Sequence, residues 1–225
     1  MTESHGEQRD SKAFSADLIT DPIARAEREA SNGLRQYDLG LRIIEDFVYT
    51  KDKPFKLRLS MALALHRAAL DGISAYAGNF RPAGVKIEGS RHEPPGAHLV
   101  AERVEEMCDY VNDNWSSTAV HLAAYIMWRL NWIHPFADGN GRTSRILSYV
   151  VLCIRSGLVL PGTNTIPEQI AENRNPYFEA LDAADAAFRD RKIIDVSAME
   201  RLLEGYLAKQ LASAYYLATG GSPTE

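Results

Sequence analysis

The run His134-Pro135-Phe136-Ala137-Asp138-Gly139-Asn140-Gly141-Arg142-Thr143-Ser144-Arg145 interrupts two long apolar segments, and it constrains the architecture more than any other stretch of the chain. Upstream, Ser117 to Ile133 places Val120, Ala123, Ala124, Met127 and Leu130 at helical spacing, with Ser116, Ser117 and Thr118 as cap candidates. Downstream, Arg142 to Ser156 reads as a strongly apolar helix closed by Gly157. Pro135 lacks an N–H and restricts the residue before it, so the first helix cannot continue through the run. Gly139 and Gly141 allow the backbone to turn tightly into the second helix. The expectation is two buried helices joined by a short turn, with His134 as the last residue of a rigid element.

The remaining pattern is helical with one exception. Residues 1 to about 17 are polar with no apolar period and are expected to be a disordered tail. From Asp21-Pro22 onward, Ile23, Ala26, Ala30, Leu34, Tyr37, Leu41, Ile44 and Phe47 recur at steps of three and four, with a break expected at Asn32-Gly33 that divides the stretch into two helices. Leu57 to Ala77 reads as a largely buried helix ending near Gly78-Asn79. Further helices are expected over Ala97 to Asn112, Pro176 to Arg189 and Val196 to Tyr216. The exception is Phe80 to Pro95, where Val85 and Ile87 alternate with Lys86 and Glu88 ahead of Gly89-Ser90: a short strand and turn, read as a β-hairpin. No repeat or Pro/Ser-rich linker divides the chain. The fold class is all-α with a short hairpin, as one domain over 18–217 (core about 57–187) with a C-terminal tail over 218–225.

Charge and composition exclude several functions. Lys and Arg number 25 against 30 Asp and Glu, a net charge of −5, so no global positive field is present to hold nucleic acid. The 2 cysteines, Cys108 and Cys153, are too few for a disulfide framework or a zinc site and read as reduced and structural. No signal peptide or membrane-length apolar run appears, which points to a cytoplasmic protein with no membrane association, though a leader read by a dedicated secretion machine would escape this test.

The run itself packs the parts of phosphoryl-type transfer into one turn. His134 can accept a proton at neutral pH. Asp138 offers the single carboxylate with which Mg²⁺ commonly supplements phosphate oxygens. Gly139-Asn140-Gly141 opens onto a helix N-terminus, where free N–H groups and the helix dipole favour an anion. Arg142 and Arg145 are three apart on one helical face and reach adjacent phosphates. Phe136 anchors the loop to the core, Thr143 and Ser144 fill the first turn, and His66 and His121 read as core or capping histidines.

The run resembles the signature of the Fic (filamentation induced by cAMP) family, His-Pro-Phe-x-Asp/Glu-Gly-Asn-Gly-Arg-x-x-Arg, at every fixed position, and the resemblance covers roughly Leu57 to Ala187. It implies a helical core with a β-hairpin flap beside the active-site loop. It also implies transfer of AMP from ATP to a Ser, Thr or Tyr hydroxyl of a target protein. In that reaction His134 is the base, Mg²⁺ sits on Asp138, and Gly139, Asn140, Gly141, Arg142 and Arg145 hold the phosphates. Gly141 stands where the Doc-like branch, which phosphorylates, has Lys. Val85, Lys86, Ile87 and Glu88 resemble the flap strand that pairs with an extended target segment. Tyr177, in Asn173-Arg174-Asn175-Pro176-Tyr177-Phe178, resembles an adenine-pocket wall, while Phe178 replaces a second Tyr and Asp185 stands where Asn is expected. Two other readings remain beside this one: removal of AMP or transfer of another nucleotide such as UMP, and a non-catalytic binding module. Many Fic proteins silence themselves through Ser/Thr-x-x-x-Glu-Gly/Asn. Here Glu29, with Arg25 four residues before it, and Glu204-Gly205 match only in part and read as ordinary surface glutamates. The element is then degenerate, supplied by an antitoxin-like partner or a second copy, or the enzyme is constitutively on.

Overall fold

The computed structural model describes residues 11–12, 17–50 and 52–220, with only the backbone described at Ser11 and Lys12. Helix α1, Pro22–Val48, begins at Asp21, whose carboxylate accepts from the Ala24 N–H at 2.7 Å, and Pro22 pre-sets its first turn. It runs unbroken through Asn32-Gly33, where the sequence leads one to expect two helices. The reason is tertiary: Asn32 is fully buried and donates its side-chain amide to the carbonyls of Ala69 (3.1 Å) and Asp71 (2.8 Å). That bridge makes Asn32 a clamp between helices, and the helix accepts the cost of Gly33, roughly 1 kcal/mol.

The same clamp lies at the end of α2, Leu59–Leu70, which stops well short of Ala77. Asp71 leaves the helical region (φ −57°, ψ 122°) and Gly72 adopts φ 71°, a left-handed conformation that favours glycine and turns the chain. Residues 71 to 79 follow as a series of turns.

Strand β2, Lys86–Ile87, lies where the alternation predicts, with Ile87 buried. It does not close a hairpin with its own neighbours. Its partner is β1, Ser11–Lys12, antiparallel, with Ser11 opposite Ile87 and Lys12 opposite Lys86. Alternation identifies a strand but carries no information about its partner. Most of the expected disordered tail, 1–17, lies outside the described residues. Of the rest, Ser11 and Lys12 are paired, and Asp17 bridges to Ser74.

A 3-10 turn at Ala97–Leu99 leads into α3, Val100–Asp113. Helices α4, Ala119–Ile133, and α5, Asn140–Ser156, form the centre. Thr118 caps α4, and α5 ends at Gly157 as the sequence predicts. Helix α6, Ile166–Glu172, is held by a capping box between Thr165 and Glu168, and its seven residues are too short for a periodicity reading to find. Helices α7, Asn175–Arg191, and α8, Ser197–Thr219, complete the bundle, with the expected tail beyond Gly220 outside the described residues. The core centres on α4 and α5, where Leu122, Ile126, Trp128, Leu130, Leu147, Val150 and Val151 are all but inaccessible. The architecture is the expected all-α bundle. Cys108 and Cys153 are buried free thiols whose pKa values burial raises, to about 12 and about 11. No helix of the described residues is long and apolar enough to cross a membrane.

Candidate active site

The α4–α5 junction opens into a cavity of about 680 Å³ whose lining includes His134, Asp138, Gly139, Asn140, Gly141, Arg142 and Arg145. The short turn therefore brings His134, Asp138, the two glycines, Asn140 and both arginines to one cavity. His134 is the C-cap of α4 in a left-handed conformation (φ 50°, ψ 56°), its N–H donating to Leu130 O at 2.9 Å. Its Nδ1 lies 3.1 Å from the carbonyl of Asn131. A carbonyl only accepts, so Nδ1 carries the proton and Nε2 carries the lone pair. That Nε2 is buried and has no hydrogen-bond partner among the described residues. Burial, ahead of every other influence, lowers the His134 pKa to about 4, so the ring is a neutral base at physiological pH.

His66 sits behind the loop as its structural counterpart. The Gly78 N–H donates to Nδ1 at 3.0 Å, so Nε2 carries the proton and donates to Asp138 O, also at 3.0 Å. The imidazole stacks on Phe136 with centroids 3.7 Å apart and planes 5° from parallel. Phe136 is fully buried, the anchor the sequence implies. Asn140 ties down the same loop from within, because its Oδ1 accepts from Phe136 N–H and its Nδ2 donates to Phe136 O, both at 2.9 Å. Its side chain is thereby committed to the loop, leaving its backbone to contribute to an anion cradle. Gly139 (φ 78°) admits no side chain, since a Cβ there would lie 2.6 Å from Leu70.

The two arginines differ. Arg142 donates to Asp138 Oδ2 at 3.3 Å and lies 3.7 Å from Glu29. Arg145 has no carboxylate partner among the described residues and shares its wall with Tyr177 and Arg174. Burial lowers the Arg145 pKa, yet a guanidinium stays charged, so Arg145, unlike Arg142, is a cavity cation without a carboxylate partner among the described residues. Tyr177 is nearly inaccessible, its hydroxyl bonded to Asn131 Nδ2 at 2.8 Å and to Ser144 Oγ at 3.4 Å. Asp185 also lines the cavity and accepts from Trp128 Nε1 at 2.8 Å.

Several site residues are not legible in the run. Arg25 donates to Asp138 Oδ2 (3.1 Å), to Glu29 (3.1 Å) and to Asp17 (2.9 Å). Glu29 is no ordinary surface glutamate: it lines the cavity and faces Arg142. Glu204 is exposed on α8 and does not line it. The four-residue step from Arg25 to Glu29 puts both on one face of α1, a signal present in the sequence but with no indication of what that face meets. From the flap side, Ile87, Ser90 and His92 join the lining, and His92 Nε2 lies 2.6 Å from Trp132 O.

Fold and site together define an all-α domain with a cavity lined by two arginines and a carboxylate of the run at a helix–loop–helix junction. The Fic/DOC family model matches residues 56–152, the span from α2 into α5, and the chain therefore carries a Fic/DOC family domain. A Drosophila willistoni protein named Protein adenylyltransferase Fic is 33% identical over 157 residues, 68% of this chain and 29% of that protein. Caenorhabditis elegans Protein adenylyltransferase fic-1 is 29% identical over 154 residues, 66% of this chain and 28% of that protein. The chain thus spans less than a third of the length of these relatives. Among solved structures, a Fic domain containing signaling protein from Bacteroides thetaiotaomicron superposes with a TM-score of 0.67 at 24% identity, covering 86% of this chain and 74% of that one. Residues 134–508 of C. elegans Fic-1 superpose with a TM-score of 0.61 at 23% identity, covering 89% and 54%. At these identities the structural likeness is one of fold.

Proposed function

We propose that the protein transfers AMP from ATP to a hydroxyl of a target protein. The observation that carries this reading is the unpartnered, unprotonated Nε2 of His134, buried on the wall that also holds the α5 N-terminus and the uncommitted Arg145. His134 Nε2 takes the proton of the target hydroxyl, whose oxygen bonds to the α-phosphorus. The bond from that phosphorus to the bridging oxygen breaks, and pyrophosphate leaves. Arg145, Arg142 and the N–H groups at Gly139 to Gly141 stabilise the phosphates.

No group of three or more His, Cys, Asp or Glu among the described residues forms a metal cage. The single carboxylate of Asp138 fits Mg²⁺ that shares phosphate oxygens, and it would hold the ion there, where the ion would supply positive charge beside the leaving group. Its Oδ2 is shared by Arg25 and Arg142, so metal binding competes with both. Val85 to Glu88 present the target segment, and Tyr177, Phe178, Leu181 and Asp185 bound the end of the cavity left for the base. A carboxylate only accepts hydrogen bonds, so Asp185 favours a base that donates.

The test is incubation with Mg²⁺ and α- or γ-labelled ATP in lysate, with labelled GTP, CTP and UTP in parallel. Transfer of the α label alone supports the reading. Transfer of the γ label makes the protein a kinase, and no transfer with retained nucleotide binding makes it a binding module.

A further inference from the structure

Arg81, at the base of the flap, has no counterpart in the chemistry described so far. It is 2% exposed, and no carboxylate pairs with it among the described residues. Every bond its guanidinium makes goes to a backbone carbonyl: Nε donates to His134 O at 2.7 Å, Nη1 to Ala83 O at 2.8 Å, and Nη2 to Pro95 O. Its own N–H donates to Pro135 O at 2.9 Å. A buried cation without a counter-ion is costly, and a neutral amide, with two N–H donors, could bridge two of these three carbonyls without that cost. The charge is placed beside the one non-glycine residue of the active-site loop in the left-handed region. Such a conformation costs on the order of 1–3 kcal/mol and persists only where its surroundings over-determine it.

We propose that Arg81 is a positioning residue that joins the flap to the active-site base. It clamps the carbonyls of Ala83 and Pro95, at the two ends of the segment carrying Ile87, to the carbonyl of His134. A second clasp runs parallel, since Trp132 O accepts from His92 Nε2, and the two rings lie 5.3 Å apart. The flap and the end of α4 therefore move as one body. A target segment seated on the flap is in register with Nε2 when it arrives. The positive charge also opposes protonation of His134, in the same sense as the larger effect of burial and as His92, and against the Asn131 carbonyl and Asp138, which favour protonation. The groups facing His134 are Asn131 on α4, Arg81 and His92 on the flap segment, and Asp138 on the loop.

The experiment compares wild type, Arg81→Lys and Arg81→Gln by histidine ¹⁵N NMR, with the His134 resonances assigned through His134→Ala. In wild type, His134 holds one tautomer, protonated at Nδ1, and stays neutral well below pH 6.5. In Arg81→Gln its titration moves up by roughly half a unit to one unit, and the tautomers mix. Arg81→Lys, with the charge but without the fork, keeps the titration near wild type while the tautomers mix. An unchanged His134 titration and tautomer in Arg81→Gln overturns the proposal, whatever happens to stability.

The kinetic arm rests on the transfer reading. Arg81→Gln lowers the rate of α-label transfer about 10–100-fold, a loss of positioning, with the KM for ATP within about twofold. If wild type transfers nothing, that reading fails and the NMR arm still decides the role of Arg81. Should Arg81→Gln not fold, hydrogen exchange in wild type decides: the Arg81 Nε–H and the amides of Ile87 and His134 exchange together, and independent exchange overturns the coupling.

Discussion

His66, packed against the α4–α5 loop, and His134, at the start of that loop, are by most measures alike. Both are nearly inaccessible, at 1% and 6%, and burial pulls both pKa values to about 4. They differ in what their nitrogens do. His66 spends both, on Gly78 and Asp138; His134 spends Nδ1 on Asn131 and leaves Nε2 unspent. Neither depth nor a shifted pKa separates a structural histidine from a base here. The count of hydrogen-bonding valences still open does.

The strongest way to break this comparison is to remove each ring. His134→Ala lowers α-label transfer by about 10²–10⁴-fold while leaving the melting temperature within a few degrees. His66→Ala strands the part-buried Gly78 N–H and Asp138 carbonyl and opens a cavity beside Phe136, costing about 2–5 kcal/mol of stability in urea unfolding. Transfer within a few-fold of wild type in His134→Ala, or an unchanged stability in His66→Ala, would undo the contrast.

The two arginines extend it from nitrogens to charges. Arg145→Ala removes a cation with no other commitment and weakens nucleotide binding about 10–100-fold by calorimetry, since a hydrogen bond to a charged group contributes about 1.5–3 kcal/mol. Arg142→Ala removes one already shared with Asp138 and Glu29, and weakens binding only a few-fold. A larger loss at Arg142 reverses the assignment.

Acid affects both histidines with the same sign. Each is neutral in the folded protein down to about pH 4, whereas an unfolded chain takes up protons below about pH 6.5. The unfolded state binds more protons throughout that window, so stability is complete above pH 6.5 and is lost as pH falls toward 4. Urea midpoints measured across the window fall, and they fall less steeply in His134→Gln. An equal slope would show that His134 titrates normally.

The smallest effect concerns the committed side of the cavity. Glu29→Gln releases Arg142 from a partly exposed pair of about 0.2–1 kcal/mol, so nucleotide binding tightens by at most about fivefold. A much larger gain, read as self-labelling with α-labelled ATP, would make Glu29 a brake rather than a neighbour.

The sequence carries the α4–turn–α5 junction because proline, two glycines and a cap act locally, and local rules need no partner. It misplaces the break at Asn32-Gly33 because a turn-forming dipeptide and a buried inter-helix clamp have the same letters. The hairpin reading fails for a related reason: Lys86 and Ile87 announce a strand, but its partner is ten residues from the start of the chain. Glu29 reads as a surface residue beside Arg25, and Arg81 escapes notice, because each meets the loop from a distant segment, through contacts that exist only after packing.

The pairing of Ser11–Lys12 with Lys86–Ile87 has a consequence for any measurement of target affinity. A strand that belongs to the same chain competes for the flap edge at the effective concentration its tether sets, commonly in the millimolar range. If target segments pair with this edge as proposed, an incoming segment displaces the strand first, and the observed dissociation constant is the intrinsic one multiplied by that competition. Shortening the N-terminus up to residue 16 would change apparent affinity for every target by one common factor, leaving the ranking among targets untouched.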